Sequence, residues 1–223
     1  MQILLSFQGG GSVNAQTTSA LPHICTQPSP IILHNSTRSL LTRRNVVRVY
    51  HYLCSHGYSP KNIGIIGDSA GGGLALALLL RLKELHTELP AANGLLSPWA
   101  DLNLSGDTMT TLSEVDPILR KEPLSACAKL YVQEEDVQNP LVSPVYGDFT
   151  GFPPMMMITG SREIRLSDTL RIAQKALNDQ GEVRFEIVEG LWHVFCADPS
   201  LPESHDAIGK LASFFTKHLT QEG

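Results

Sequence analysis

The length and composition of the chain predict a single domain with one sizeable core. Its 223 residues, 42% of them hydrophobic, are enough for such a core, so we expect one domain over residues 1–223. A formal net charge of −5 with 17% charged residues provides no basic stripe, which excludes nucleic acid as an expected partner.

Short apolar runs alternate with helical patterns, which is typical of βαβ units and predicts an α/β fold with a mainly parallel sheet. The expected strands are Ile3–Phe7, Ile63–Ile66, Gly94–Ser97, Met155–Thr159 and Arg184–Val188, with Ile31–Leu33 as a less regular candidate. The expected helices are Asn45–His56, Ala70–His86, Lys121–Tyr131, Ser167–Asp179 and Glu203–Leu219. The proline-rich segment from Trp99 to Pro154 is expected to lie over the top of the sheet.

The apolar run at the N-terminus predicts a strand of a cytoplasmic protein. Residues 1–7 are too few to span a membrane, and no basic segment or cleavage site accompanies them. No metal or cofactor is expected, because the four cysteines form no C-x-x-C pair and the eight histidines form no H-E-x-x-H motif.

The pentapeptide Gly67-Asp68-Ser69-Ala70-Gly71 lies between an apolar strand pattern and an apolar helix pattern. A G-x-S-x-G at such a junction is the nucleophile elbow of α/β-hydrolases, a tight turn that exposes the serine hydroxyl. Ser69 is therefore the candidate nucleophile, and the alternative is an ordinary glycine-rich turn.

A serine nucleophile needs a base and a carboxylate that orients the base. In α/β-hydrolases the histidine follows the last strand and the acid follows a late strand, in the chain order Ser, Asp or Glu, His. His193 fits the position of the base. Glu163 and Asp168 both follow the strand Met155–Thr159; Glu163 is the preferred acid, and Asp168 remains the alternative because it also suits the start of the next helix.

The oxyanion of an acyl-transfer reaction needs backbone donors. One donor is expected from Ala70, which follows the nucleophile, and others from the loop Gln8-Gly9-Gly10-Gly11. Glycines let backbone amides approach a ligand because no Cβ intervenes.

These motifs resemble those of the hormone-sensitive-lipase-like family of α/β-hydrolases, which contains esterases and lipases that act mainly on short acyl chains. Further matching segments are Ser97–Leu102, Asp116-Pro117, Asn139–Pro144, Gly151–Pro154, Gly160–Asp168 and Glu189–His193. The resemblance implies an α/β-hydrolase fold, a small-molecule ester as substrate, Ser69 as nucleophile and His193 as base. It also implies an oxyanion hole formed by the amides of Gly10, Gly11 and Ala70.

The chain departs from the family pattern at several points. Gln8 replaces the usual histidine before the glycines, and Glu163 replaces the usual aspartate. The glycine loop begins at residue 8, so we expect an N-terminally shortened fold without the helical cap. An uncapped pocket predicts a preference for short acyl chains, and an unpaired sheet edge predicts either a homodimer or low stability.

Two functions from different classes remain open at this point. The first is a carboxylic-ester hydrolase that works through an acyl-enzyme at Ser69. The second is a catalytically impaired or dead homologue that binds a small molecule or a protein. The serine, the histidine and the glycine loop favour the enzyme, whereas the changed acid and the absent cap favour the binding protein.

Overall fold

A parallel sheet forms the centre of the fold. The computed structural model describes residues 2–9, 31–34, 39–132 and 136–219, and in this part of the chain six strands pair in the order β2-β1-β3-β4-β5-β6, all parallel. The strands are β1 (Ile3–Gln8), β2 (Ile31–His34), β3 (Ile63–Asp68), β4 (Ala92–Leu96), β5 (Met155–Gly160) and β6 (Val183–Val188). The α/β fold with a parallel sheet is thereby confirmed.

Helices connect the strands, as parallel pairing requires. They are α1 (Ser39–Ser55), α2 (Ala70–Glu84), α3 (Thr108–Thr111), α4 (Lys121–Val132), α5 (Leu166–Asn178) and α6 (Pro202–His218). Short 3-10 helices span Pro60–Asn62, Pro144–Tyr146 and Phe195–Ala197.

The sheet separates two hydrophobic clusters, because successive strand residues face opposite sides. Met155 and Met157 of β5 pack in the cluster that contains the buried residues of α1, α2 and α5. Met156 and Ile158 pack in the other cluster, with the apolar face of α6. The strands β3, β4 and β5 are therefore covered on both faces and give the site a rigid base.

Several element boundaries differ from those expected from the sequence. The fourth strand ends at Leu96 rather than Ser97, because Ser97 has a φ of 46° and leaves the extended conformation. The helix after the elbow ends at Glu84, and His86 adopts a φ of 50°. The first helix begins at Ser39, six residues earlier than expected, and α3 was not expected at all.

The segment between β4 and β5 packs against the residues that follow the carboxyl ends of these strands. Leu104 and Met109 form a small cluster with Ile164, and Trp99, Leu112, Leu119 and Leu124 pack against it. In the described residues, no helix is long and apolar enough to cross a membrane.

Two helical glycines provide a matched test of the packing between α2 and the loop after β4. A Cβ on Gly73 would lie 2.1 Å from the carbonyl oxygen of Trp99, whereas a Cβ on Gly209 meets no described heavy atom within 4 Å. Gly209→Ala should raise the free energy of unfolding by about 0.5–1 kcal/mol through helix propensity. Gly73→Ala should lower it by about 1–3 kcal/mol through overpacking. Chemical denaturation measures both, and equal effects of the two changes would contradict this packing.

Candidate active site

Ser69 lies in a sharp turn between β3 and α2. Its backbone has φ 49° and ψ −121°, a conformation that non-glycine residues rarely adopt. The Ser69 amide donates to the Leu96 carbonyl at 2.9 Å, and the Ser69 carbonyl accepts from the Trp99 amide at 2.7 Å. The carboxyl end of β4 and the loop that follows it therefore hold the strained turn in place.

Two contacts bring the end of β1 and the residue after it close to this turn. A Cβ on Gly71 would lie 2.2 Å from the Phe7 carbonyl oxygen, so the close approach requires glycine at this place in the motif. The Gly9 amide donates to Oδ2 of Asp68 at 3.1 Å. Burial raises the pKa of Asp68 to about 6, although the bond from Gly9 opposes the shift.

His193 follows β6 and precedes the 3-10 helix Phe195–Ala197. Its Nε2 lies 2.8 Å from Ser69 Oγ, and its Nδ1 lies 2.5 Å from Oε2 of Glu163. With the proton on Nδ1, the imidazole donates to the carboxylate and Nε2 accepts from the serine hydroxyl. The structure therefore brings together three residues that the sequence singled out, from the ends of three different strands.

Glu163 is fully buried, and both of its carboxylate oxygens are hydrogen-bonded. Oε2 faces His193, while Oε1 accepts from Ser97 Oγ at 2.8 Å, from the Gly160 amide at 3.0 Å and from Thr159 Oγ1. Burial would raise the pKa of Glu163, but His193 and the two hydroxyls outweigh it and hold the pKa below its ordinary value. The side chain is thus kept as a carboxylate beside the imidazole.

Asp168, the other candidate acid, lies elsewhere. It is in the first turn of α5, as expected, but it is fully buried, and its Oδ2 accepts from Arg165 Nη1 and from the amides of Ala100 and Asp101, each at 3.0 Å. The Arg165 guanidinium lies over the Trp99 ring, 4.3 Å from its centroid. Asp168 therefore connects α5 to the loop after β4, and none of its described hydrogen bonds reaches His193.

The loop that carries Glu163 is held by a residue whose role the sequence did not indicate. Asp116 is buried, and its Oδ2 accepts from the Ile164 amide at 2.8 Å. Its Oδ1 accepts from the amides of Ile118 and Leu119, each at 2.8 Å. The sequence analysis included Asp116-Pro117 only as a segment that matches the family, and local patterns could not predict this contact because it spans 48 residues.

Of the three expected oxyanion donors, the structure describes one, the amide of Ala70. Ala70 is the first residue of α2, where a backbone amide has no acceptor within the helix. A Cβ on Gly9 would lie 3.2 Å from the Ala70 amide nitrogen, so the start of the glycine loop runs beside it. Gly10 and Gly11 lie outside the described residues. Among the described residues, no group of three or more His, Cys, Asp or Glu side chains is arranged to hold a metal ion.

Comparison with known proteins agrees with this architecture. Residues 41–197 match the model of a family described as having the alpha/beta hydrolase fold. The chain belongs to this α/β-hydrolase family. A crystal structure of an esterase from the bacterial hormone-sensitive lipase family superimposes with a TM-score of 0.91 at 33% identity, covering 98% of this chain and 77% of that one. The resemblance noted from the motifs is thereby confirmed.

Curated relatives carry related names. An acetyl-hydrolase from Streptomyces hygroscopicus is 38% identical over 180 residues, which are 80% of this chain and 60% of that protein. An esterase from Acinetobacter venetianus is 38% identical over 171 residues, which are 75% of this chain and 56% of that protein. The chain thus spans less than two thirds of the length of these relatives.

The buried ion pair of Asp168 predicts a large effect on stability. Asp168→Asn removes the carboxylate that pairs with the buried Arg165 charge, which should lower the free energy of unfolding by about 3–5 kcal/mol. Asp148 pairs with Lys83 at 2.7 Å on the surface and is the matched control. Asp148→Asn should cost about 1 kcal/mol or less. Thermal and chemical denaturation measure both variants, and similar losses would show that the buried pair is not the main constraint on this loop.

Proposed function

We propose that this chain is a carboxylic-ester hydrolase that acts on short-chain acyl esters through an acyl-enzyme intermediate. Ser69 is the nucleophile, His193 the general base and Glu163 the carboxylate that orients the base. The observation that supports this assignment best is the continuous chain of hydrogen bonds from Ser69 Oγ through both nitrogens of His193 to Glu163.

The reaction follows from the direction of these bonds. Ser69 Oγ attacks the carbonyl carbon of the ester while its proton passes to Nε2 of His193. The imidazolium then gives that proton to the leaving alcohol oxygen, the ester C–O bond breaks, and the acyl group remains on Ser69. A water molecule repeats the sequence on the acyl-enzyme, releases the carboxylic acid and restores the serine hydroxyl.

Glu163 supports both steps without exchanging a proton. Its Oε2 holds the proton of Nδ1 toward itself, which leaves Nε2 free to act as a base, and its negative charge stabilises the imidazolium. The three donors on Oε1 prevent the carboxylate from rotating away. An acid held this firmly can orient the imidazole even though glutamate is longer than the aspartate usual in the family.

The oxyanion is assigned to backbone amides. The amide of Ala70 at the N-terminus of α2 supplies one donor, and the helix dipole favours negative charge at this place. The amides of Gly10 and Gly11 complete the proposed hole. The bond from Gly9 to Asp68 supports this part of the proposal because it anchors the loop beside the turn of Ser69.

The relatives support the substrate class. The name of the Streptomyces protein specifies an acetyl group, the shortest common acyl chain, and the Acinetobacter protein is named an esterase. We therefore propose acetyl and other short acyl esters as substrates of this chain, with p-nitrophenyl esters as convenient probes.

A series of p-nitrophenyl esters tests the nucleophile and the acyl preference together. We expect kcat/KM to be highest for acetate and butyrate and to fall for octanoate and longer chains. Ser69→Ala should lower kcat by about 10⁶-fold, as the loss of a serine nucleophile does in other triads. Ser200, which is exposed and bonds to Asp198, provides the control variant Ser200→Ala with unchanged kinetics.

Other results of these measurements would reject parts of the proposed function. Full turnover by Ser69→Ala would reject the nucleophile, and a preference for long chains would reject the substrate class. A folded wild-type protein that hydrolyses no ester would instead favour the alternative of a homologue that only binds.

The acid is tested by a substitution that keeps the shape of the side chain. Glu163→Gln retains an acceptor for Ser97, Thr159 and Gly160 but places an amide beside His193, which favours the wrong tautomer. We expect kcat to fall by about 10³- to 10⁴-fold with little change in KM. Asp168→Asn, measured well below its lowered melting temperature, should retain most of kcat. If Asp168→Asn lost as much kcat as Glu163→Gln, the acid would be assigned wrongly.

A further inference from the structure

Ser97 occupies a strained position between the acid and the base. It directly follows β4, is 1% exposed and has a φ of 46°. Its amide donates to the Ile158 carbonyl at 2.9 Å, which fixes it against β5. A residue forced to a positive φ is usually glycine, so the presence of serine here needs a reason in its side chain.

The Ser97 hydroxyl makes two hydrogen bonds that connect different loops. It donates to Oε1 of Glu163 at 2.8 Å and accepts from the Val194 amide at 3.0 Å. Val194 directly follows His193 and has a φ of 53°, which is unusual for a β-branched residue. One oxygen atom therefore contacts both the carboxylate and the backbone that carries the imidazole.

We propose, on the basis of the function proposed above, that Ser97 is a positioning residue. Its hydroxyl fixes the position of the Glu163 carboxylate relative to the loop that carries His193. The carboxylate needs a donor and the amide needs an acceptor, and a hydroxyl supplies both from one atom. Alanine supplies neither. Glycine supplies neither and, in addition, adopts the positive φ without strain.

The proposal gives Ser97 a role that differs from that of the other donors to Glu163. Thr159 Oγ1 and the Gly160 amide belong to β5, and Glu163 lies in the loop that directly follows this strand. Ser97 alone among these three donors also holds the backbone that follows His193. Loss of the Ser97 hydroxyl should make the distance between Glu163 and His193 more variable. This should lower kcat and leave KM unchanged.

The test compares Ser97→Ala and Ser97→Gly with Ser143→Ala. Ser143 is also fully buried, and its hydroxyl accepts from the Leu102 amide at 2.9 Å, so it controls for the loss of a buried serine hydroxyl. Both Ser97 variants should lose about 10- to 100-fold in kcat, the equivalent of one hydrogen bond to a charged group, with KM unchanged. Ser143→Ala should keep kcat within about 3-fold.

A second measurement does not depend on activity. A short bond between His193 Nδ1 and Glu163 gives the bonding proton a far-downfield NMR resonance, which Glu163→Gln removes and thereby assigns. Ser97→Ala and Ser97→Gly should shift or abolish this resonance, and Ser143→Ala should leave it unchanged. If the wild type hydrolysed no ester, the proposed function would fail, and the resonance would still decide the role of Ser97.

Definite results would overturn the inference. If a folded Ser97→Gly variant kept both kcat and the resonance, only the backbone conformation of this residue would matter, and the role proposed for its hydroxyl would be rejected. Ser97→Gly also decides the case if Ser97→Ala does not fold. If Ser143→Ala caused the same losses as the Ser97 variants, the effect would reflect general loosening of the fold and the positioning role would be rejected.

Discussion

The buried charge of Glu163 is the constraint on which the arrangement of the site depends. A carboxylate without access to water is stable only when donors surround it, and those donors come from three places: Ser97 after β4, Thr159 and Gly160 at the end of β5, and His193 after β6. Because the strands β3 to β6 are neighbours in a parallel sheet, their carboxyl ends reach the same edge. The hydrogen bonds to this one carboxylate therefore fix three neighbouring segments. They also keep Nε2 of His193 within hydrogen-bond distance of Ser69.

Three residues with an unusual backbone conformation lie at the same place. Ser69, Ser97 and Val194 all have positive φ values without being glycine, and residues in such conformations cost about 1–3 kcal/mol each. Each is held by bonds to a neighbouring element: Ser69 to Leu96, Ser97 to Ile158 and Val194 to Ser97. The fully buried strands β4 and β5 provide the rigid partners that keep these residues in place. Strain of this kind is typical of sites where geometry matters more than stability.

The sequence predicts the fold and the elbow well because both are local patterns. Apolar runs mark the strands, and the spacing of small residues around Ser69 marks the turn. Local spacing favoured Glu163 but left Asp168 open as the acid, because the role of Asp168 depends on contacts such as the bond from the Ala100 amide, 68 residues away in the chain. Ser97 was hidden for a similar reason. In the sequence it continues the apolar run of β4, and only the fold shows that it lies just after the strand and bonds to Glu163 and Val194.

We propose that the hydrogen bonds from Ser69 to His193 and from His193 to Glu163 make Ser69 a nucleophile. Reaction of the folded protein with a fluorophosphonate, followed by intact-mass and peptide-mass spectrometry, tests it most directly. We expect a single covalent adduct per chain, on the peptide that contains Ser69, and no adduct after denaturation. An adduct on a different residue, or no adduct on the folded protein, would contradict it.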